Sequence, residues 1–376
     1  MIDKFLLFPY WFTLKIRHFI FDCGLRKTTS VEVPSICVGN VTVGGTGKTP
    51  HTEMLLSMLS ADEYWGSKNI AVLSRGYKRK TRGFQQVTYD GTARQYGDEP
   101  LQIKRKFPDI TVAVDRSRKE GCDFLCHPEK LLSSRKAKKC LNKNLVKADL
   151  IILDDAFQHR SVKTSVSIVL IDFNKPVFSD HLLPLGRLRD LPERTAKADI
   201  IIITKCPPGM NAWEKSQWAL ASGLSMYDAE KCCGIRKDGS KQYLFFTKIC
   251  YGTPAPVFPE GDARYTYSQK LVLFSGIADD TPLRHSLSDS YKIVRHLHFP
   301  DHHNFSKSDI KAVYDAAESN PTSVVMTTEK DCQRIRDCKW IPDNLKQRLF
   351  YMPICTDFLS DADRINFLAI LKSFLK

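Results

Sequence analysis

The sequence predicts an α/β protein: a doubly wound, mostly parallel sheet followed by a second, smaller α/β unit. Three observations carry this. Short β-branched runs alternate with helical patterns from residue 33 onward. The runs are apolar nearly throughout, as in strands buried on both faces. A glycine-rich loop joins the first run to the first helical pattern.

The strands expected in order are 33–38, 70–74, 110–114, 150–153, 167–172 and 200–204. Each is four to six residues long, too short for a helix and bounded by polar or turn residues. Helices covering both faces of such a sheet complete a doubly wound layer. Between about Pro184 and Pro208 the chain turns rich in Pro and Arg, so a domain junction is placed near residue 195. Runs at 244–249, 271–274, 293–297 and 324–327 then suggest the second unit. At the C-terminus, Ile365, Leu368, Leu371 and Phe374 recur with the spacing of an amphipathic helix over 362–375.

The 376 residues suffice for two modest cores. With 56 Lys and Arg against 42 Asp and Glu, the formal charge of +14 favours polyanions such as nucleotides or phospholipid headgroups. Nucleic acid shares that charge preference, but no motif asks for it. The 12 cysteines form no CxxC pair, and Cys122, Cys126 and His127 lack the usual zinc-ligand spacing, so reduced thiols are expected. No obligate protein partner is evident. Residues 5–14 read FLLFPYWFTL before Lys15, Arg17 and His18. Ten apolar residues cannot span a bilayer, which needs about 20. Nor does a small-residue cleavage site follow, as a secretory signal would require. Residues 1–25 therefore read as a helix in the membrane interface, with packing on the protein's own core as the alternative.

Gly44, Gly45, Thr46, Gly47, Lys48 and Thr49 lie between a strand and a helix. Glycines let backbone N–H groups close on phosphate oxygens, and the helix N-terminus adds its positive end. Lys48 is placed to reach the β- and γ-phosphates of ATP, and the Thr49 hydroxyl to ligate Mg²⁺. The strict pattern wants glycine where Thr42 stands, so the loop is a variant. Asp154 and Asp155 close an apolar run and supply metal-binding carboxylates at the sheet's carboxyl end. Thr204-Lys205-Cys206-Pro207 lacks the Asp of a guanine-reading motif, which disfavours GTP. Val43 stands where partition ATPases carry lysine, leaving a membrane-associated partition-type ATPase switch as the alternative to a kinase. A kinase needs a carboxylate to take the acceptor's proton, and Asp98 and Glu99 of a GDEP turn are candidates. A histidine of Asp301-His302-His303 could pair with Asp98 across an interdomain cleft, or be a solvent-exposed loop residue.

Seven segments, VGNVTVGGTGKTP (38–50), SRGYKRK (74–80), GDEP (97–100), ILDDAFQHR (152–160), LLPLGRLRD (182–190), FPDHHNF (299–305) and TTEKD (327–331), together resemble the tetraacyldisaccharide 4'-kinases. The resemblance covers nearly the whole chain. It implies a P-loop kinase-like fold and ATP-dependent phosphorylation of the 4'-hydroxyl of a tetraacylated glucosamine disaccharide 1-phosphate in lipid A biosynthesis. The implied place is the cytoplasmic face of a Gram-negative inner membrane, with peripheral or monotopic contact. Asp98 then matches the general base, His302 its partner, and Lys48, Thr49, Asp154 and Asp155 the phosphate and Mg²⁺ residues. Arg189 falls on an active-site arginine. The next position, usually Glu in the family, is Asp190 here. The resemblance also implies an inserted second domain and hinge closure. The expected division is an N-terminal segment 1–25, a P-loop domain 26–194 rejoined by the 355–376 helix, and a smaller domain 195–354.

Overall fold

The computed structural model describes residues 2–376, the side chains of residues 2–6 and 136 excepted. Helices used below are α1 (Ile2–Asp22), α2 (Lys48–Ser60), α3 (Asp98–Lys106), α4 (Arg118–Cys126), α5 (Thr281–Ser288), α6 (Glu329–Ile335) and α7 (Asp361–Phe374). The strands in chain order are β1 (Ser35–Gly39), β2 (Ile70–Ser74), β3 (Gln85–Gln86), β4 (Thr111–Val114), β5 (Leu150–Asp154), β6 (Val166–Asp172), β7 (Ile200–Thr204) and β8 (Leu224–Asp228). They continue as β9 (Cys233–Arg236), β10 (Lys241–Tyr251), β11 (Ala255–Pro256), β12 (Lys270–Ser275), β13 (Lys292–His298), β14 (Val324–Thr328), β15 (Leu349–Met352) and β16 (Ile354–Phe358).

The first sheet runs β8-β9-β10-β7-β6-β1-β5-β2-β4-β3, with β16 also on β10. From β10 to β4 every pairing is parallel. The apolar runs are explained by what covers them. Ile36 and Val38 of β1 pack with Leu55, Leu56 and Leu59 of α2 and with Phe367 and Leu371 of α7. Cys37, between them, faces the other layer with Leu73, Phe124 and Leu125. Full burial of one such side chain contributes about 1.5–3 kcal/mol. The C-terminal helix thus lies on the P-loop helix, 300 residues away in sequence. The second sheet, β11-β15-β14-β12-β13, is parallel except at β11 and carries a core on each face.

One expectation differs from the strand pairing. Residues 244–249 belong to β10, which pairs in parallel with β7 over 243–246 and antiparallel with β16 over 247–251, so they extend the first sheet rather than open the second unit. The Pro- and Arg-rich stretch 184–208 holds loops that flank β7, an interior strand of the first sheet, and composition cannot distinguish such loops from a linker. The two sheets are joined instead where β10 and β16 run antiparallel, Tyr251 opposite Ile354. Side chains also cross between them: Lys106, paired with Glu53 of its own unit at 2.7 Å, reaches Glu329 at 3.3 Å, and Arg105 reaches Gln333 at 2.7 Å.

Helix α1 docks on the 182–191 loop over one face of the first sheet, with Leu14 in a core shared with Val169 and Ile171. Leu14 and His18 are buried; Phe8, Trp11, Phe12, Ile16 and Phe19 are exposed. Phe5 and Leu6, part of the apolar run, have side chains outside the described residues. No helix among the described residues is long and apolar enough to cross a membrane.

Candidate active site

Strand β1 delivers the glycine loop to the carboxyl edge of the sheet, between β5 and β6. Gly39 permits this approach, since a Cβ there would meet Phe157 Cβ at 2.5 Å. Gly44 and Gly47 take positive φ (89° and 85°), and Gly47 caps α2, so the helix begins at Lys48. A Cβ on Gly44 or Gly45 would meet nothing within 4 Å. Packing does not require these glycines, and the space before them is left for a ligand. The buried Asn40 amide fixes the loop, donating to Thr46 Oγ1 at 2.7 Å and accepting from Arg189 at 2.6 Å. Thr204 Oγ1 donates to the Thr46 carbonyl at 3.1 Å.

His51 ties α2 to β10. Nδ1 donates to the Gly47 carbonyl at 2.7 Å, which leaves Nε2 to accept from Thr247 Oγ1 at 2.9 Å. Burial pushes its pKa down to about 4, so the ring is a neutral strut.

Asp154 ends β5 and Asp155 follows with φ 50°, which turns the two carboxylates to different surroundings. The Asp155 carboxylate is ion-paired with Arg189 and lies 3.7 Å from Lys48. Burial opposes its ionisation, but Lys48 and Arg189 outweigh it and hold its pKa well below the usual carboxylate range. Asp154 accepts from Ser74 at 3.1 Å through Oδ2, while Oδ1 is buried with no hydrogen-bond partner. Burial, and next the neighbouring Asp155, raise its pKa to about 6. A buried carboxylate oxygen without a donor next to a second carboxylate fits Mg²⁺, and the hydroxyl of Thr49, second residue of α2, would add another oxygen ligand. Arg118, itself buried, holds the Asp154 carbonyl at 2.8 Å.

Across from the loop, Gly97 at φ 93° starts α3 with Asp98 at its first position. Asp98 Oδ2 accepts from His302 Nδ1 at 2.9 Å and is also ion-paired with Arg334. Both bonds fall on Oδ2, and the other carboxylate oxygen, Oδ1, takes neither. Lys330 Nζ stands 3.0 Å from His302 Nε2 and 3.0 Å from Glu99 Oε1. Burial works against the Lys330 ammonium, yet Glu99 and Asp301 outweigh it and raise its pKa. An ammonium can only donate, so Nε2 accepts and the His302 proton sits on Nδ1, directed at Asp98. Glu99 is near enough to the phosphate side to act electrostatically on Asp154.

The sequence-based candidates therefore fall in two linked groups. Lys48, Arg189 and Asp155 meet at the loop, with Asn40 as a tether; Asp98 meets His302, the first histidine of its pair, while His303 turns to Asp309 at 2.9 Å. Asp190 leaves the site: it is buried and accepts from His18 of α1 at 2.6 Å. Lys330, Arg334, Asn40, Ser74 and Arg118 were not singled out. Lys330 lies in TTEKD and Asn40 and Ser74 in other quoted segments, but Arg334 and Arg118 lie outside all of them. His127 turns to Glu32 at 2.9 Å, away from the buried Cys122 and Cys126.

The glycine loop, the Asp154–Asp155 pair and the Asp98–His302 pair come from different elements, with Glu99 acting electrostatically on Asp154 between them, a combination that fits the class of P-loop phosphotransferases. The profile of the family described as LpxK, tetraacyldisaccharide-1-P 4'-kinase, matches residues 4–373. A tetraacyldisaccharide 4'-kinase of Parabacteroides distasonis is 38% identical over 365 residues, covering 95% of this chain and 90% of that one. One of Phocaeicola vulgatus is 36% identical over 93% of this chain and 88% of its own. The crystal structure of LpxK from Aquifex aeolicus in complex with ATP matches with a TM-score of 0.66 at 21% identity, covering 100% of both chains. The chain belongs to the tetraacyldisaccharide-1-P 4'-kinase family.

Proposed function

We propose that this chain transfers the γ-phosphoryl group of ATP to the 4'-hydroxyl of a tetraacyl glucosamine disaccharide 1-phosphate, the step its relatives are named for. The observation that carries the reading is the Asp98–His302 pair held between Lys330 and Arg334 beside the glycine loop. Backbone N–H groups at Gly44–Thr49 and the Lys48 ammonium bind the phosphates. Thr49, Asp154 and Asp155 would hold Mg²⁺, which when bound would supply positive charge against that developing on the phosphates. Asp98 accepts the sugar proton through the oxygen that neither His302 nor Arg334 occupies, and His302 orients the carboxylate. Arg189, tethered by Asp155 and Asn40, faces the transferring phosphoryl group.

The membrane side follows the same reading. Exposed Phe8, Trp11, Phe12 and Phe19 lie in the headgroup layer of the inner membrane's cytoplasmic face and bring the protein to its lipid. The β10–β16 ribbon is the hinge between a P-loop unit and an inserted unit that closes on ATP.

The test uses labelled ATP with the tetraacyl disaccharide monophosphate in detergent. Label moves to the lipid with wild type. Asp98→Ala cuts turnover by about 10² to 10⁴ while binding ATP normally, and Lys48→Ala loses both. Lipid-independent hydrolysis, or equal loss of ATP binding in the two variants, overturns the reading.

A further inference from the structure

A second convergence of ligating groups lies on the other sheet, outside the phosphate site. His296 and His298 alternate on edge strand β13 and so share a face. Both rings turn to one oxygen of Asp280, the buried residue that precedes α5. His296 Nε2 stands 2.8 Å and His298 Nδ1 3.3 Å from Asp280 Oδ2. Ser275 Oγ, at the end of β12, also bonds that oxygen. Arg284 Nε takes the opposite oxygen, Oδ1, at 3.1 Å. The kinase chemistry uses none of these side chains.

We propose that Asp280, His296 and His298 form a binding site for one divalent transition ion of the zinc type. Ligands about 2.0–2.1 Å from zinc sit about 3.3 Å apart at a tetrahedral angle. The His298–Asp280 separation already has that value, and the His296–Asp280 separation needs to open by about 0.5 Å. All three ligand atoms lie within 4.8 Å of one another. Two imidazoles and a carboxylate suit zinc over Mg²⁺ or Ca²⁺, which prefer all-oxygen sets. Arg284 on Oδ1 is the outer hydrogen bond that orients a ligating carboxylate. Ser275 Oγ or water would take the fourth position. The ion would clamp β12, β13 and α5 together. It would also steady the loop carrying His302, four residues after His298, whose backbone N–H bonds the Gly276 carbonyl at 3.1 Å.

Full-length protein, stripped with chelator and then saturated with MgATP, is titrated with ZnCl₂ against a chromophoric competitor, and with CoCl₂ by visible absorption. Wild type should take up about one equivalent more than His298→Asn or His296→Asn. Cobalt should give d–d bands without a thiolate charge-transfer band in the near ultraviolet. Zinc should raise the melting temperature of wild type and not of the variants. His298 is half exposed, so His298→Asn should keep the metal-free melting temperature and decides the matter if His296→Asn unfolds. Equal uptake by wild type and His298→Asn, no uptake by wild type, or a thiolate band each overturns the proposal.

Discussion

Lys330 determines what His302 can do, because an ammonium offers no lone pair and forces the imidazole proton onto Nδ1. Lys330→Met leaves both tautomers open, and only one donates to Asp98. Turnover should fall roughly 10- to 100-fold with ATP affinity unchanged, and Lys330→Arg should restore part of it. A steady-state kcat and KM series checks this; loss confined to KM would mean that Lys330 binds substrate instead. Asp154 makes a second residue-level prediction. Its carboxyl titrates near pH 6 in the folded, metal-free protein against 3.8 normally. The folded state then binds the extra proton between those values. Stability from this group is present below about pH 4 and is lost as pH rises through 6. Metal-free Asp154→Asn should therefore melt above wild type at pH 8, by the equivalent of roughly 2–3 kcal/mol, and match it near pH 4. Thermal scans at the two pH values test the sign, and adding MgATP should narrow the gap.

At the scale of the element, α1 has two unlike faces. Its inner face is hydrogen-bonded to the 182–191 loop, through His18 to Asp190 at 2.6 Å and Tyr10 to the Arg189 carbonyl at 2.9 Å. Its outer face is aromatic and exposed. The core-packing reading of the N-terminal run therefore holds for Leu14 and His18, and the exposed aromatic face is what the proposed membrane contact would use. The triple variant Trp11→Ser, Phe12→Ser, Phe19→Ser should keep the fold, since none of the three is buried. Vesicle co-sedimentation should fall at least tenfold. For wild type on anionic vesicles, part of the binding should fade as salt shortens screening from about 10 Å at 0.1 M to about 3 Å at 1 M. Binding that persists in the triple variant would place membrane contact elsewhere on the surface.

At the scale of the whole molecule, the two sheets meet through charge. Arg334 of α6 in one unit pairs with Asp98 of α3 in the other and with Asp331 in its own, and it is only 6% exposed. Arg334→Met removes the cation and leaves two buried carboxylates facing each other. The expected cost is about 3–5 kcal/mol, read as a lower urea midpoint, together with lost turnover. Removing Asp98 as well should recover stability but not activity. If Arg334→Met proves no less stable than wild type, the pair is not what joins the units.

Much of the fold was legible because it is local. Apolar runs of four to six residues gave all seven strands of the parallel stretch from β10 to β4 and β12, β13 and β14 of the second sheet, but not β3, β8, β9, β11, β15 or β16, and they placed the glycine loop between a strand and a helix. Gly44 and Gly47 had to be glycine for their backbone angles, a constraint that stands in the sequence itself. What the sequence left open was non-local. Whether 244–249 joined the first sheet or the second depended on which strand it paired with, and an apolar run carries no record of its neighbour. Whether His302 met Asp98, 204 positions earlier, depended on the chain between them folding so as to bring α3 beside the 299–305 loop. Arg334 and Lys330 read as ordinary helix cations, and only packing made one of them buried and the other a fixed donor. Sequence by itself determined the fold class, the phosphate loop and, through seven ordered segments, the family. Tertiary structure decided the state of each charge, because burial and the identity of the group opposite set a pKa or a tautomer, and neither is written in the order of the residues.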